Sequence, residues 1–133
     1  MLRSLHVKDY MKTDLLTLNP GMDVLHATKL LLKAGISGAP VLDKHGRLVG
    51  MLTERDLMQV ALQGYYHGVP GGLVNKHMSP DPEYVSPEQG ILTLAEMFIK
   101  GKFRRYPVVD NGRLVGMIDR SDVVRAIGKF YPA

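Results

Sequence analysis

The hexapeptide GRLVGM occurs at residues 46–51 and again at 112–117, and that repetition limits what the chain can fold into. Displacing the sequence by 67 positions lays VKDYMKT (7–13) on VNKHMSP (74–80), Pro20 on Pro87, and PVLD (40–43) on PVVD (107–110). One residue is lost in the turn before the second GRLVGM, after which Asp56 falls on Asp122. A self-match at fixed period marks a chain built from copies of one supersecondary unit. With 133 residues in all, each copy holds about 60, too few to bury much core alone. Two mixed α/β units, residues 1–63 and 73–133, are therefore expected to pack with pseudo-two-fold symmetry, joined by a linker at 64–72.

Each half reads as α-β-α-β-β-α. A short opening helix (Leu5 to Met11; Leu73 to Met78) leads to a brief strand (Leu15 to Leu18; Glu83 to Val85). In the second half Ser86, Pro87 and Gln89 form the N-cap, first position and capping-box partner of the next helix. In the first half Asn19-Pro20 makes the same start, with Asp23 an alternative cap. Apolar residues at helical spacing follow (Val24, Ala27, Leu31 and Ala34; Ile91, Leu94, Phe98), and Gly35 and Gly101 stand where the helices should end. Two strands come next, and Asn111-Gly112 between the second pair is a strong hairpin signal. A closing amphipathic helix (Glu54 to Leu62; Arg120 to Phe130) completes each half.

The order of elements, the repeated hPVVD…GRLVGhhTxxD signature and its tandem duplication resemble a pair of CBS domains, a Bateman module. The resemblance covers the whole chain and implies a free-standing regulatory module with no catalytic domain. It implies adenosyl ligands (AMP, ADP, ATP or S-adenosylmethionine, sometimes NAD(H) or a cyclic dinucleotide) in clefts between the repeats, and a homodimer formed through the helices. It carries ligand contacts onto Thr13, Asp14 and Tyr84 near the first strand of each repeat. Further contacts fall on Ile36, Ser37, Ala39 and Pro40, on Arg104, Arg105, Tyr106 and Pro107, and on the GhTxxD turn at Thr53, Arg55, Asp56, Arg120 and Asp122.

Thr53-x-x-Asp56 is at the same time a capping box for the closing helix. The two roles are compatible. The helix N-terminus favours an anion, Asp56 can accept hydrogen bonds from the two hydroxyls of a ribose, and Arg55 is placed for a phosphate. The second copy has Asp119 where the first has Thr53. Asp is as good an N-cap, but a carboxylate about 4 Å from a phosphate costs on the order of 4 kcal/mol at an effective dielectric near 20. The expectation is two unequal sites, the second weaker, empty or suited to a ligand without phosphate there, unless Arg104, Arg105 or Arg120 neutralises Asp119. Tyr106 is expected beside the base.

Composition narrows the alternatives. Hydrophobic residues make up 45% and charged residues 23% of the chain, a soluble globular balance. No apolar run approaches the ~20 residues that span a bilayer, which with the absence of cysteine suggests a cytoplasmic protein. The five histidines (6, 26, 45, 67, 77) show no metal spacing. GVPGG (68–72) is no phosphate loop, and no serine lies in a nucleophile-elbow context. No metal, no required cofactor and no enzymatic activity are expected. The net charge of +4 and the dense run KGKFRR (100–105) leave a rival, a nucleic-acid-binding protein with steeply salt-dependent affinity. A dimerisation module without ligand is the third reading.

Overall fold

The computed structural model describes residues 5–68 and 71–131. Two compact units form, and they do not follow the order of the chain: one contains residues 16–82, the other the segment up to residue 15 together with residues 83 onward. The opening segment of each sequence repeat is thus built into the unit formed by the strands of the other. Among the described residues, no helix is long and apolar enough to cross a membrane.

The unit of residues 16–82 contains helix α1 (Val24–Ala34), strands β1 (Gly38–Leu42) and β2 (Leu48–Thr53), helix α2 (Glu54–His67), the helical turn α3 (Val74–His77) and the short strand β3 (Ser79–Pro80). The three strands form an antiparallel sheet in the order β1-β2-β3, with Gly38 opposite Thr53, Pro40 opposite Met51, and Met51 opposite Ser79. Its core is Leu18, Val24, Ala27, Leu31, Ala39, Val41, Leu52, Val60 and Val74. Val24, Ala27 and Leu31 come from one face of α1, as their helical spacing requires.

The second unit begins with a single 3-10 turn (Val7–Asp9) and continues with helix α4 (Ile91–Lys100), the antiparallel hairpin β4 (Arg105–Asp110) and β5 (Arg113–Asp119), and helix α5 (Arg120–Phe130). Val7 is fully buried with Val85, Ile91, Leu94, Phe98, Tyr106, Val108, Ile118, Val123 and Ala126. Asn111 and Gly112 both have positive φ (52° and 77°), the two left-handed residues that a primed two-residue hairpin turn needs.

The exchange of opening segments explains the glycine in both LVGM strands. A Cβ on Gly116 would lie 2.6 Å from Met11 Sδ and 2.9 Å from the Lys12 carbonyl oxygen. A Cβ on Gly50 would lie 2.4 Å from Met78 Sδ and 3.1 Å from the Ser79 carbonyl oxygen. Met11 and Met78 are partners in the repeat alignment, so the same approach is made twice. The same segments cap the following helices: Ile91 N donates to Leu5 O, and Val24 N donates to Gly72 O, both at 2.9 Å.

That arrangement corrects several sequence expectations. The N-cap of helix α4 is Gly90, not Ser86. Ser86 instead closes a local turn, its carbonyl accepting from Gln89 N and its hydroxyl from Glu88 N, while the Gln89 amide turns to Met97 Sδ. Helix α1 uses the alternative cap, with Asp23 accepting from Leu25 N at 2.7 Å. Gly35 ends α1 in the left-handed conformation (φ 67°), but Gly101 ends α4 extended (φ −91°). Glycine is needed at 101 for space, since a Cβ would come within 2.7 Å of Met97 O.

The opening helices shrink to the 3-10 turn and to α3, and the brief strands after them to single parallel bridges, Leu18 with Val41 and Val85 with Val108. Helix α2 runs to His67, well past Leu62 and into the expected linker. Gly64 does not stop it, because one glycine inside a helix costs only about 1 kcal/mol relative to alanine.

Candidate functional site

Each unit ends a strand in a capping box, and the two boxes differ in what satisfies the acidic residue. In the first, Thr53 caps α2 and Asp56 sits three residues in, 8% exposed. Asp56 Oδ2 accepts from Thr53 N (2.8 Å) and from Thr53 Oγ1 (3.0 Å), while Asp56 N donates to Thr53 Oγ1 at 3.5 Å. Asp56 Oδ1 accepts no hydrogen bond from the described residues. The carboxylate is therefore fixed by one oxygen and open at the other. Ser37 is held against the same turn, its carbonyl accepting from Glu54 N at 2.9 Å. Arg55 is exposed on the first turn of the helix.

In the second box Asp119 caps α5, its Oδ1 accepting from Asp122 N at 2.9 Å. Asp122 is fully buried, and a buried charge must be paired. Lys12 Nζ donates to Asp122 Oδ1 (2.7 Å) and Oδ2 (2.8 Å) and to Asp119 Oδ2 (3.2 Å). An Arg125 Nη donates to Asp122 Oδ1 at 2.8 Å and to the Tyr10 carbonyl at 3.3 Å. Two cations thus balance two carboxylates. Burial alone would push the Asp119 carboxyl up, but the Asp122 amide and the Lys12 ammonium outweigh it and hold it below the usual carboxylate range. Burial likewise works to lower Lys12, and its bonds to Asp122 and Asp119 reverse this, leaving the ammonium above its ordinary value.

Lys12 and Arg125 are the residues that sequence reasoning missed. The neutralising cation expected on Asp119 from Arg104, Arg105 or Arg120 is supplied from 107 positions away by Lys12. Arg120 turns instead to the Phe103 carbonyl at 3.5 Å, and Arg104 is exposed. Arg105 lies opposite Asp119 in the β4–β5 register. The signal was present in the repeat alignment, where Lys12 stands for Ser79, Arg125 for Gln59 and Asp119 for Thr53. Three charged residues replace three neutral ones around a single carboxylate.

The remaining expected site residues fall into two groups. Ala39, Pro40, Tyr106 and Pro107 are buried on β1 and β4, with side chains turned into packed surroundings. Tyr106, expected beside a base, is 3% exposed, its ring 5.2 Å from that of Phe98 and 5.7 Å from that of Phe103. Burial, then Glu83, pushes its phenol up, in keeping with a core residue. Thr13, Asp14, Ile36 and Tyr84 are exposed in the connecting segments. Among the described residues, no group of three or more His, Cys, Asp or Glu is arranged to hold a metal ion.

Comparison with known proteins agrees with this architecture. The family model of the CBS domain matches residues 7–63 and 74–129. The chloroplastic CBS domain-containing protein CBSX1 of Arabidopsis thaliana is 32% identical, over 86% of this chain and 60% of its own length. Across several known relatives the chain spans from 23% to 60% of their length. Among solved structures, that of CBSX2 in complex with AMP superposes with a TM-score of 0.84 at 33% identity, covering 94% of this chain and 97% of that one; CBSX2 is also from Arabidopsis thaliana. The CBS domain pair of protein MJ0100, solved with 5′-methylthioadenosine and S-adenosyl-L-methionine, gives 0.83 at 25% identity, covering 96% and 98%. With a repeated fold, two matching capping boxes and both halves covered by one family model, the chain belongs to the CBS-domain family and carries two CBS domains.

Proposed function

We infer that the protein is a regulatory module that binds an adenine nucleotide (AMP, ADP or ATP) at the Thr53–Asp56 turn. The observation that carries this reading is the half-satisfied Asp56: a nearly buried carboxylate, anchored through Oδ2, with Oδ1 open to accept ribose hydroxyls. The N-terminus of the 14-residue α2 adds a positive dipole end for phosphate, and exposed Arg55 adds a guanidinium. The adenosyl ligands of CBSX2 and MJ0100 support the chemical class.

D56N keeps the size and one acceptor oxygen but removes the charge. A hydrogen bond to a charged group contributes about 1.5–3 kcal/mol, so AMP binding by calorimetry should weaken roughly 10- to 150-fold. Wild-type affinity in D56N overturns the assignment. So does a wild-type chain whose melting temperature is moved by none of AMP, ADP or ATP, since a ligand at 100 times its Kd adds about 2.7 kcal/mol of stability.

The module is read as a homodimer through its helices. Exposed apolar side chains recur in register in the two repeats, Leu25 with Leu92, Leu32 with Ile99, Met58 with Val124 and Tyr65 with Tyr131. Large apolar groups kept outside at matching positions of both repeats favour a shared interface. Sedimentation equilibrium should give twice the 14.8 kDa chain mass; a monomer at micromolar concentration overturns the dimer.

A further inference from the structure

The two capping boxes offer a ligand different things. Asp56 has an unclaimed oxygen, whereas both oxygens of Asp122 are filled twice: Oδ1 by Lys12 and Arg125, Oδ2 by Lys12 and Asp119 N. A carboxylate has about four acceptor positions, and an ammonium has three N–H groups. Asp122 is therefore saturated, and the three hydrogens of Lys12 are matched by Asp122 Oδ1, Asp122 Oδ2 and Asp119 Oδ2. A pair of ribose hydroxyls reaching Asp122 would have to expel the ammonium and leave Asp119 uncompensated beside them.

We propose that Lys12 determines specificity by occupying the second capping box in cis, as an internal cation standing where a ligand would bind, so that each chain takes one nucleotide. This rests on the reading of Thr53–Asp56 as the nucleotide site. Its backbone position explains how a residue so distant in sequence does this. Lys12 pairs with Met117 through both of its backbone groups (2.8 and 2.9 Å). Ser79 stands opposite Met51 at the equivalent place in the other unit. Serine there is too short and neutral to do what Lys12 does, and with Thr53 in place of Asp119 there is one carboxylate fewer to hold a cation.

The test is a calorimetric titration with AMP of the wild type and of K12S/D119T, which gives the second box the residue types of the first while Arg125 still balances Asp122. One site in the wild type and two in the variant is the expected result, with far-UV circular dichroism showing a retained fold. Two sites in the wild type, or one site in both proteins, overturns the role of Lys12 and leaves the nucleotide reading standing. No heat from either protein overturns both. If the opened variant unfolds, T53D/Q59R/S79K carries the quartet into the first box, where AMP affinity should fall at least tenfold; unchanged affinity in that variant overturns the proposal.

Discussion

Replacing Lys12 and Arg125 together by alanine should destabilise the chain by about 3–5 kcal/mol, the cost of leaving a buried charge without its partners. Asp122 is fully buried, and the double change leaves it only the Asp119 amide. Either single change should cost much less, because each cation is half-exposed and the other remains. Adding D122N to the double variant should recover part of the loss, since no unpaired charge is then buried. Urea unfolding followed by circular dichroism measures the four variants and the wild type; a double variant within 1 kcal/mol of wild type would refute the argument.

The pH dependence of that gap follows from the two shifted groups. Lys12 is raised, so its contribution is complete below the unfolded value of about 10.4 and disappears as pH rises through the higher folded value. Asp119 is lowered, so its contribution is complete above about 3.9 and disappears as pH falls through the lower folded value. The difference between wild type and the double variant should be flat from about pH 5 to 9 and should narrow beyond that range at both ends, while Arg125, charged throughout, keeps it from closing at high pH.

Ile118→Ala should cost about 2–5 kcal/mol. The side chain is fully buried on β5, opposite Tyr106, and packs with Leu94, Val108 and Val123. The built-in control is Glu96→Ala on α4, where the side chain is exposed and removal should stay within about 0.5 kcal/mol. Comparable losses from the two changes would mean that the apolar cluster around β5 does not hold this unit together.

The sequence made the local architecture legible and left the long-range part hidden. Alternation and turn chemistry located β1, β2, β4 and β5, and Asn111-Gly112 specified its turn because so few residues accept positive φ at two successive positions. Thr53 and Asp119 were recognisable as caps since capping depends on residues only three apart. The destination of the opening segments was not, because VKDYMKT and VNKHMSP carry the same pattern and nothing local states which strands they cover. Gly50 and Gly116 did carry a trace of it: glycine within a strand marks a close backbone approach. Lys12 stayed hidden for the same reason, being an ordinary surface lysine until the exchanged segment lays it on Asp122. Tyr106 misled for a different reason, since an aromatic residue at a strand entry fits a core as readily as a base.

The exchange of opening segments also bears on ancestry. The two repeats have the look of a duplicated gene, yet neither set of strands here is covered by the opening segment of its own repeat. In a chain with a single repeat, covering the LVGM glycine with the segment of another repeat would take a segment traded between two molecules, a reciprocal domain swap that depends on protein concentration. Fusing the copies makes the trade intramolecular, with the partner segment held at an effective concentration on the order of millimolar. Fusion also frees the two copies to diverge: once both segments lie on one chain, a lysine can arise in one of them and an aspartate in one capping box without the same change being forced on the other.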